Sequence, residues 1–576
     1  MQVLQTATEV VLAQRATYQG SERAIIHQRP ATISRRLAHL IWLPRFDLVR
    51  PYHLRWLRPL GLGLVVDGRP TLGYSSLEHF LGDLEALGVA QPLGDGLAQR
   101  YLALWPPASQ GSFFYLDNRR KVRYSSYQTA AGKISASDRI LGGTTQLFVH
   151  DAAGHCLHMH SGPADDHLTR TLGPFLHHFA AQVGRQHIRG IVADQEMRSV
   201  RLLLTLQAAD FGFVTLGRTP TVHPEAAFEI EGLFVPYLGD PQTGQTTHWV
   251  AQAQTLLQDR VNGLSLVAQV TLLADCRAGM PGRLIPVLHN LTQADVGLAF
   301  PHRLYVGRWQ GQERRFRDMR PCQNLDAHYG QKKMAVPNRH QARAQDKLGQ
   351  QLQTQAKRVT TAQQKIQTYT QQLQTLEQQF QYKQAENQAQ VARLRHEGQQ
   401  ALTRRTRESR IRQVEKLAAQ LPLLQLRCQQ KRRHLLAQQT HWQNQLAEAQ
   451  QHQQQLSQAL QQLHQPFFYD FDLEKDNLMT YLRMAGENAH RFVQEKYFTG
   501  TLFEKVDEVT MVRLIYNQPG YVQQRGSSVY VCLQGYRAPA VQAAVVQACQ
   551  RVNQAQIELL SGHLLHMEVS SEILDW

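Results

Sequence analysis

The chain has 576 residues, enough for three or four domains and too many for a single core. Its 62 Lys and Arg against 46 Asp and Glu leave a net charge of +16, a surplus that favours a polyanionic partner through counterion release. Six scattered cysteines form no CxxC pair, which excludes a disulfide framework and fits free thiols in a reducing compartment. The opening "MQVLQTATEVVLAQR" has no basic stretch followed by an apolar run, and no segment reaches about 18 uninterrupted apolar residues. The expected protein is soluble and cytoplasmic, without a membrane span.

Residues 1–108 read as a helical region. In "TLGYSSLEHFLGDLEALG", Leu77, Phe80, Leu81, Leu84 and Leu87 share one helical face. The basic, aromatic stretch from Ile33 to Leu60 is either a DNA-contacting module or a solvated helix with a packed tryptophan. From 109 to 335 short strands alternate with helices, the pattern of an α/β layered domain. "GSFFYLDNRRKVRYS" is a strand, and "TQLFVHDAAGHCLHMHSG" is two strands joined at the turn signal "DAAG". Then "DDHLTRTLGPFLHHFAAQVGR" is a helix, "RGIVADQEM" a short buried strand, "SVRLLLTLQAADF" a helix and "GFVTLGR" a strand. Residues from about 222 to 300 form a β-rich insertion, after which "PHRLYVGRWQGQERRFRDM" returns to helix.

Residues 340–465 are different material. Leu352, Val359, Ile366, Leu373 and Phe380 recur every seven residues, with Leu348, Ala362, Tyr369 and Leu376 on a companion seam. Leu435, Trp442, Ala449, Leu456 and Leu463 make a second seam. Pro422 is the expected break, so the segment reads as a long antiparallel coiled-coil hairpin with a basic patch over 393–416. Residues 467–576 read as a helix followed by a small α/β region.

Three acids stand out. Asp117 ends the apolar run "FFYLDN", Asp194 ends "GIVADQ", and Glu313 sits on a helix among Arg308, Arg314 and Arg315. Acids at the ends of buried strands lie where α/β sheets place ligands. Taken singly, a strand-terminal Asp is commonly a turn residue and a Glu among arginines a surface ion pair. Together, the three could hold two divalent cations, Mg²⁺ or Mn²⁺, beside a phosphate gripped by the arginines. Asp151 in "VHDAAG" reads as a turn residue. His155, Cys156, His158 and His160 lie close together, but no partner pair has matching ligand spacing, so the sequence alone yields no zinc site.

The segments "FFYLDNRRKVRYSS", "RGIVADQEMRSVRLLLTLQAADFGFVTLGR" and "YVGRWQGQERRFRDMRPCQNLDAHYGQKK" resemble the three acid-bearing blocks of DDE transposases of the insertion-sequence type. A long coiled coil after the third block and a small α/β tail resemble one branch of that family. The resemblance implies an RNase H-like catalytic domain with Asp117, Asp194 and Glu313 as metal ligands. It also implies DNA contacts from Tyr305, Arg308, Trp309, Arg314, Arg315 and Arg320. Two departures stand in the third block: four residues separate Arg308 from Glu313 where three are usual, and Arg320 replaces a common lysine.

The implied protein cuts and rejoins double-stranded DNA at element ends and inserts them into a target. It would act as a homodimer or higher multimer, nucleoid-associated and with no membrane partner. A catalytically inactive, transposase-derived DNA-binding scaffold is the alternative reading.

Overall fold

The computed structural model describes residues 1–20, 23–56, 59–107, 111–125, 127, 129–134, 139–219, 227–241, 243–277, 282–292, 297–309, 313–330, 332–337, 339–461 and 467–571. The chain divides into two compact units, one of residues 1–334 and 469–576 and the other of residues 335–468. Among the described residues no helix is long and apolar enough to cross a membrane.

The first unit begins with helices α1 (Gln2–Thr17), α2 (Pro30–Trp42), α3 (Leu60–Asp67), α4 (Tyr74–Ala86) and α5 (Ala90–Leu104). The heptad-like face predicted for α4 is in the core: Leu77, Phe80, Leu81 and Leu84 are fully buried. In the basic stretch after Ile33, the apolar residues Ile33, Leu37 and Leu40 are buried too. The tryptophan expected to pack there does not, since Trp42 and Trp56 are both exposed.

Strands β1 (Ser112–Val122), β2 (Ala131–Ile134), β3 (Arg139–His150) and β4 (Cys156–Pro163) follow, then α6 (Leu168–Val183), β5 (Ile188–Ala193), α7 (Val200–Ala208) and β6 (Gly212–Leu216). They are joined by β7 (Glu229–Gly239), β8 (Thr246–Asp259), β9 (Leu264–Asp275) and β10 (Arg283–His289). All ten form one mixed sheet in the order β2-β3-β1-β5-β6-β10-β9-β8-β7, with β4 on β3. β1, β5 and β6 are parallel neighbours, and the rest pair antiparallel. The β-rich insertion therefore lengthens this sheet through β10 against β6.

Period-two alternation assigns the sheet's two faces. Phe114, Leu116, Ile191, Ala193 and Phe213 join the core that includes Phe175 and Phe179 of α6 and Leu203 of α7. Phe113, Tyr115, Val192 and Val214 point the other way, under Tyr305 of helix α8 (Phe300–Arg308). Strands covered on both faces read as continuous apolar runs, which is why "SFFYL" and "GIVA" look as they do. After α8 come α9 (Arg314–Cys322) and β11 (Lys333–Pro337).

The second unit holds α10 (Arg339–Gln399) and α11 (Arg404–Gln461). At 61 residues, α10 is about 90 Å long. Contacts pair residues symmetrically about position 403: Asn387 Nδ2 donates to the Leu417 carbonyl, Gln439 Nε2 to Thr370 Oγ1, and Arg410 bridges Glu397. The helices thus run antiparallel. The predicted seam residues Leu352, Val359, Ile366, Leu373 and Phe380 are half-buried between exposed neighbours, and Ala362, Leu435 and Ala449 are buried. Leu463 lies outside the described residues. Pro422 does not break the run: it lies inside α11, and the chain reverses at 400–403 instead, just past Gly398. Seam burial on both sides of Pro422 outweighs its missing backbone donor.

Strand β12 (Phe467–Phe471) leads into α12 (Glu474–Tyr497), then α13 (Glu508–Met511), β13 (Gly520–Arg525), β14 (Ser528–Leu533), α14 (Pro539–Gln554) and β15 (Leu564–Val569). The last three strands make a small separate sheet, as the predicted α/β tail requires. This tail belongs to the first unit, because α12 is buried nearly all round. Its Asn488 closes the edge of β4 by accepting from the Cys156 amide at 2.9 Å and donating to the Cys156 carbonyl at 2.8 Å. Asp476 takes two hydrogen bonds of 3.0 Å from Lys121 and an ion pair of 2.9 Å from Arg123, all three side chains buried.

Removing one partner of such a cluster leaves the others charged and desolvated. Asp476→Ala is expected to destabilise the first unit by about 3–5 kcal/mol, measured as a lowered urea midpoint. In the second unit, Pro422→Ala is expected to raise the thermal midpoint of the helical signal, since proline in a helix interior costs about 3 kcal/mol.

Candidate functional site

β1 continues past Asp117 to Val122, so this acid does not end its strand as expected. What ends there is the parallel pairing. Leu116 is the last β1 residue opposite β5, facing Ala193, while Asp117 to Val122 pair only with β3. Asp194 directly follows β5 and turns the chain into a short 3-10 turn, accepting from the Gln195 amide at 2.7 Å. Asp117 and Asp194 thus occupy adjacent places at the same end of two neighbouring strands. Alternation puts Asp117 on the face of Phe113 and Tyr115, and Asp194 on that of Val192, which is the face that α8 covers.

α8 approaches closely because residue 307 is glycine: a Cβ there would meet Tyr115 Oη at 2.9 Å. Tyr305, two residues earlier, donates from its hydroxyl to Asp194 Oδ1 at 3.4 Å. Thr215 of β6 fixes the same corner, donating to the Asp194 carbonyl at 2.9 Å. The helix expected across 301–319 is present as α8 and α9, with Trp309 and Glu313 in π-helical conformation between them and residues 310–312 outside the described set. Residues five apart adjoin in a π-turn. Arg308 and Glu313 are five apart and form an ion pair of 2.6 Å.

The three acids share one electrostatic environment. Burial pushes the Asp117 carboxyl up to about 7; Arg308 and the Asn118 amide pull it down, and the charges of Glu313 and Asp194 push it up. The Asn118 amide donates to Asp117 Oδ1 at 2.8 Å. Burial also pushes the Tyr305 phenol up to about 12, with Arg308 opposing. Arg308 is buried, with its guanidinium 5.5 Å from the Tyr305 ring centre and 5.9 Å from that of Trp309.

The remaining basic residues divide. Trp309 is exposed beside the acids. Arg320, more than half exposed, pairs with Asp326 at 2.9 Å, and Arg119 pairs with the same carboxylate. Arg314 donates to the Lys505 carbonyl at 3.4 Å. Arg315 is not offered to a ligand: it is buried 3.9 Å from Glu487 of α12, where it balances an inward acid. Asp151 serves its turn, accepting from the His155 amide at 2.8 Å and ring at 2.7 Å.

Sequence reasoning missed Thr215, which carries no motif, and a second group elsewhere. Asp95, His158 and His178 bring three potential metal-ligand atoms within 4.8 Å of one another. The only hint in the sequence was the cluster around His158.

No protein-family model matches the chain, and no curated protein matches it in sequence.

The raised carboxyl at Asp117 has a defined consequence for stability. The folded state keeps this proton between the ordinary Asp value of 3.8 and about 7, whereas the unfolded chain releases it. Stability from this group therefore falls as pH rises across that window and stays low above it. Asp117→Asn, which mimics the neutral form, should match the wild type near pH 4, exceed its thermal midpoint increasingly up to about pH 7, and keep a constant margin above that.

Proposed function

We propose that the first unit is an RNase H-like catalytic domain of a DDE-type DNA transposase, cleaving and joining DNA strands with Asp117, Asp194 and Glu313. The observation that carries this reading is that Asp117 and Asp194 adjoin at one corner of the sheet, with the charge of Glu313, far away in sequence, acting on Asp117. Asp117 and Asp194 sit side by side where the β1–β5 pairing stops. The mixed sheet with helices on both faces supports the same assignment.

The donor set fits Mg²⁺ or Mn²⁺. Three carboxylates are hard oxygen ligands, and their mutual repulsion at Asp117 is what a divalent cation relieves. One or two such ions, when bound, would lower the pKa of a water or a DNA 3′-hydroxyl and neutralise the leaving oxygen. The chain's own residues do the rest. Tyr305 and Thr215 hold Asp194 in place. Arg308 is buried and paired with Glu313; it would reach the negatively charged DNA backbone only if that pair opened. Trp309 presents an exposed ring beside it.

In the second unit, the half-buried seams support an antiparallel coiled coil acting as a dimerisation arm or DNA clamp. Arg404, Arg405, Arg407 and Arg412 are exposed where the two helices reverse, so the basic patch would meet phosphates without reading sequence. This assigns the chain double-stranded DNA as partner and a cytoplasmic, nucleoid-associated location.

Glu313→Gln is expected to abolish Mg²⁺-dependent strand cleavage while gel-shift affinity for DNA survives. Equal loss of both would make Glu313 a structural residue. Absence of any nicking by the wild type with Mg²⁺ or Mn²⁺ would favour the inactive scaffold.

A further inference from the structure

Asp95 of α5, His158 of β4 and His178 of α6 converge from three elements. His158 Nε2 lies 2.9 Å and His178 Nε2 2.7 Å from a single oxygen, Asp95 Oδ1. Gln91, one turn before Asp95, places its amide nitrogen 3.1 Å from that oxygen and 2.9 Å from His178 Nε2. Hydrogen bonding alone serves this arrangement poorly. The single site on His178 Nε2 must carry a proton to face the Asp95 carboxylate and a lone pair to face the Gln91 amide, and it cannot do both.

We propose that Asp95, His158 and His178 bind a divalent transition-metal ion of the zinc class, which clamps α5, β4 and α6 together. Two imidazoles and one carboxylate are a nitrogen and oxygen set that suits Zn²⁺ better than Mg²⁺. Ligands of a tetrahedral ion with bonds of 2.0–2.1 Å stand ~3.3 Å apart, so the two spacings to Asp95 Oδ1 need to open by about half an ångström, while the two Nε2 atoms lie within 4.8 Å of each other. With an ion in place, both Nε2 lone pairs and Oδ1 point to it. The Gln91 amide, turned over, can offer its oxygen as a fourth ligand.

The surroundings are those of a held ligand set. His158 is buried, its ring centre 5.6 Å from that of Phe175, 5.8 Å from Phe179 and 5.5 Å from Tyr481. Its other nitrogen, Nδ1, faces Tyr481 Oη at 3.5 Å, the outer-shell contact that orients a ligating imidazole. His178 is more open than His158 (side-chain exposure 38% against 1%), which leaves a route of entry from solvent. This site does not depend on the transposase reading.

The test is titration of the full-length protein, stripped with EDTA, with Co²⁺ and then Zn²⁺. With excess Mg²⁺ present throughout to hold the carboxylate corner, the expected result is one Co²⁺ per chain with visible d–d absorption, displacement by Zn²⁺, and a rise in Tm with either metal. His178→Asn, at a half-exposed position, should weaken Co²⁺ binding at least about 100-fold and lose the Tm rise, with the metal-free circular dichroism unchanged. Asp194→Asn should titrate like the wild type. Absence of d–d bands in the wild type, unchanged titration of His178→Asn, or loss of the bands in Asp194→Asn would each overturn the proposal.

Discussion

Parallel pairing of β1 with β5 is the constraint on which the rest of the first unit depends. With Phe113 to Leu116 set against Gly190 to Ala193 and both sheet faces covered, a charged side chain along that stretch would be desolvated. The first positions where a carboxylate can stand are those immediately past the pairing, and Asp117 and Asp194 hold them. Burial of Asp117 costs stability, and the charges of Glu313 and Asp194 add to the upward shift of its carboxyl.

A polar corner on an otherwise apolar sheet must be held rigidly, and the molecule does so from several directions. Gly307 lets α8 lie close to β1, and the π-turn after it brings Glu313 back to Arg308. Behind the sheet, α12 carries its own buried charges: Asp476 neutralises Lys121 and Arg123 at the far end of β1. Glu487 faces Arg315, and Glu508 pairs with Arg45 at 2.6 Å. Residues about 300 positions apart in the chain thus close one interior. A tail that composition marks as a separate region supplies a helix to the interior of the first unit.

The helical second unit follows another logic. Its stability comes from one repeated contact along a seam, so each seam residue matters little alone. A proline can be absorbed in α11 while the reversal occurs near the middle of the segment, where the two helices come out at almost equal length.

Local periodicity and spacing determined a good deal. They gave the order of strands and helices in the first unit, the apolar face of α4, and the seams of α10 and α11. Each of these is written in neighbouring residues, through alternation of two, a turn of 3.6 or a repeat of seven. Tertiary structure alone decided which side chains meet. It buried Arg315 against Glu487, set Arg308 on Glu313 through a π-turn, carried β1 beyond Asp117, and brought Asp95 and His178 to His158. Those outcomes depend on register between strands and on the packing of distant helices, and no short window of sequence encodes them.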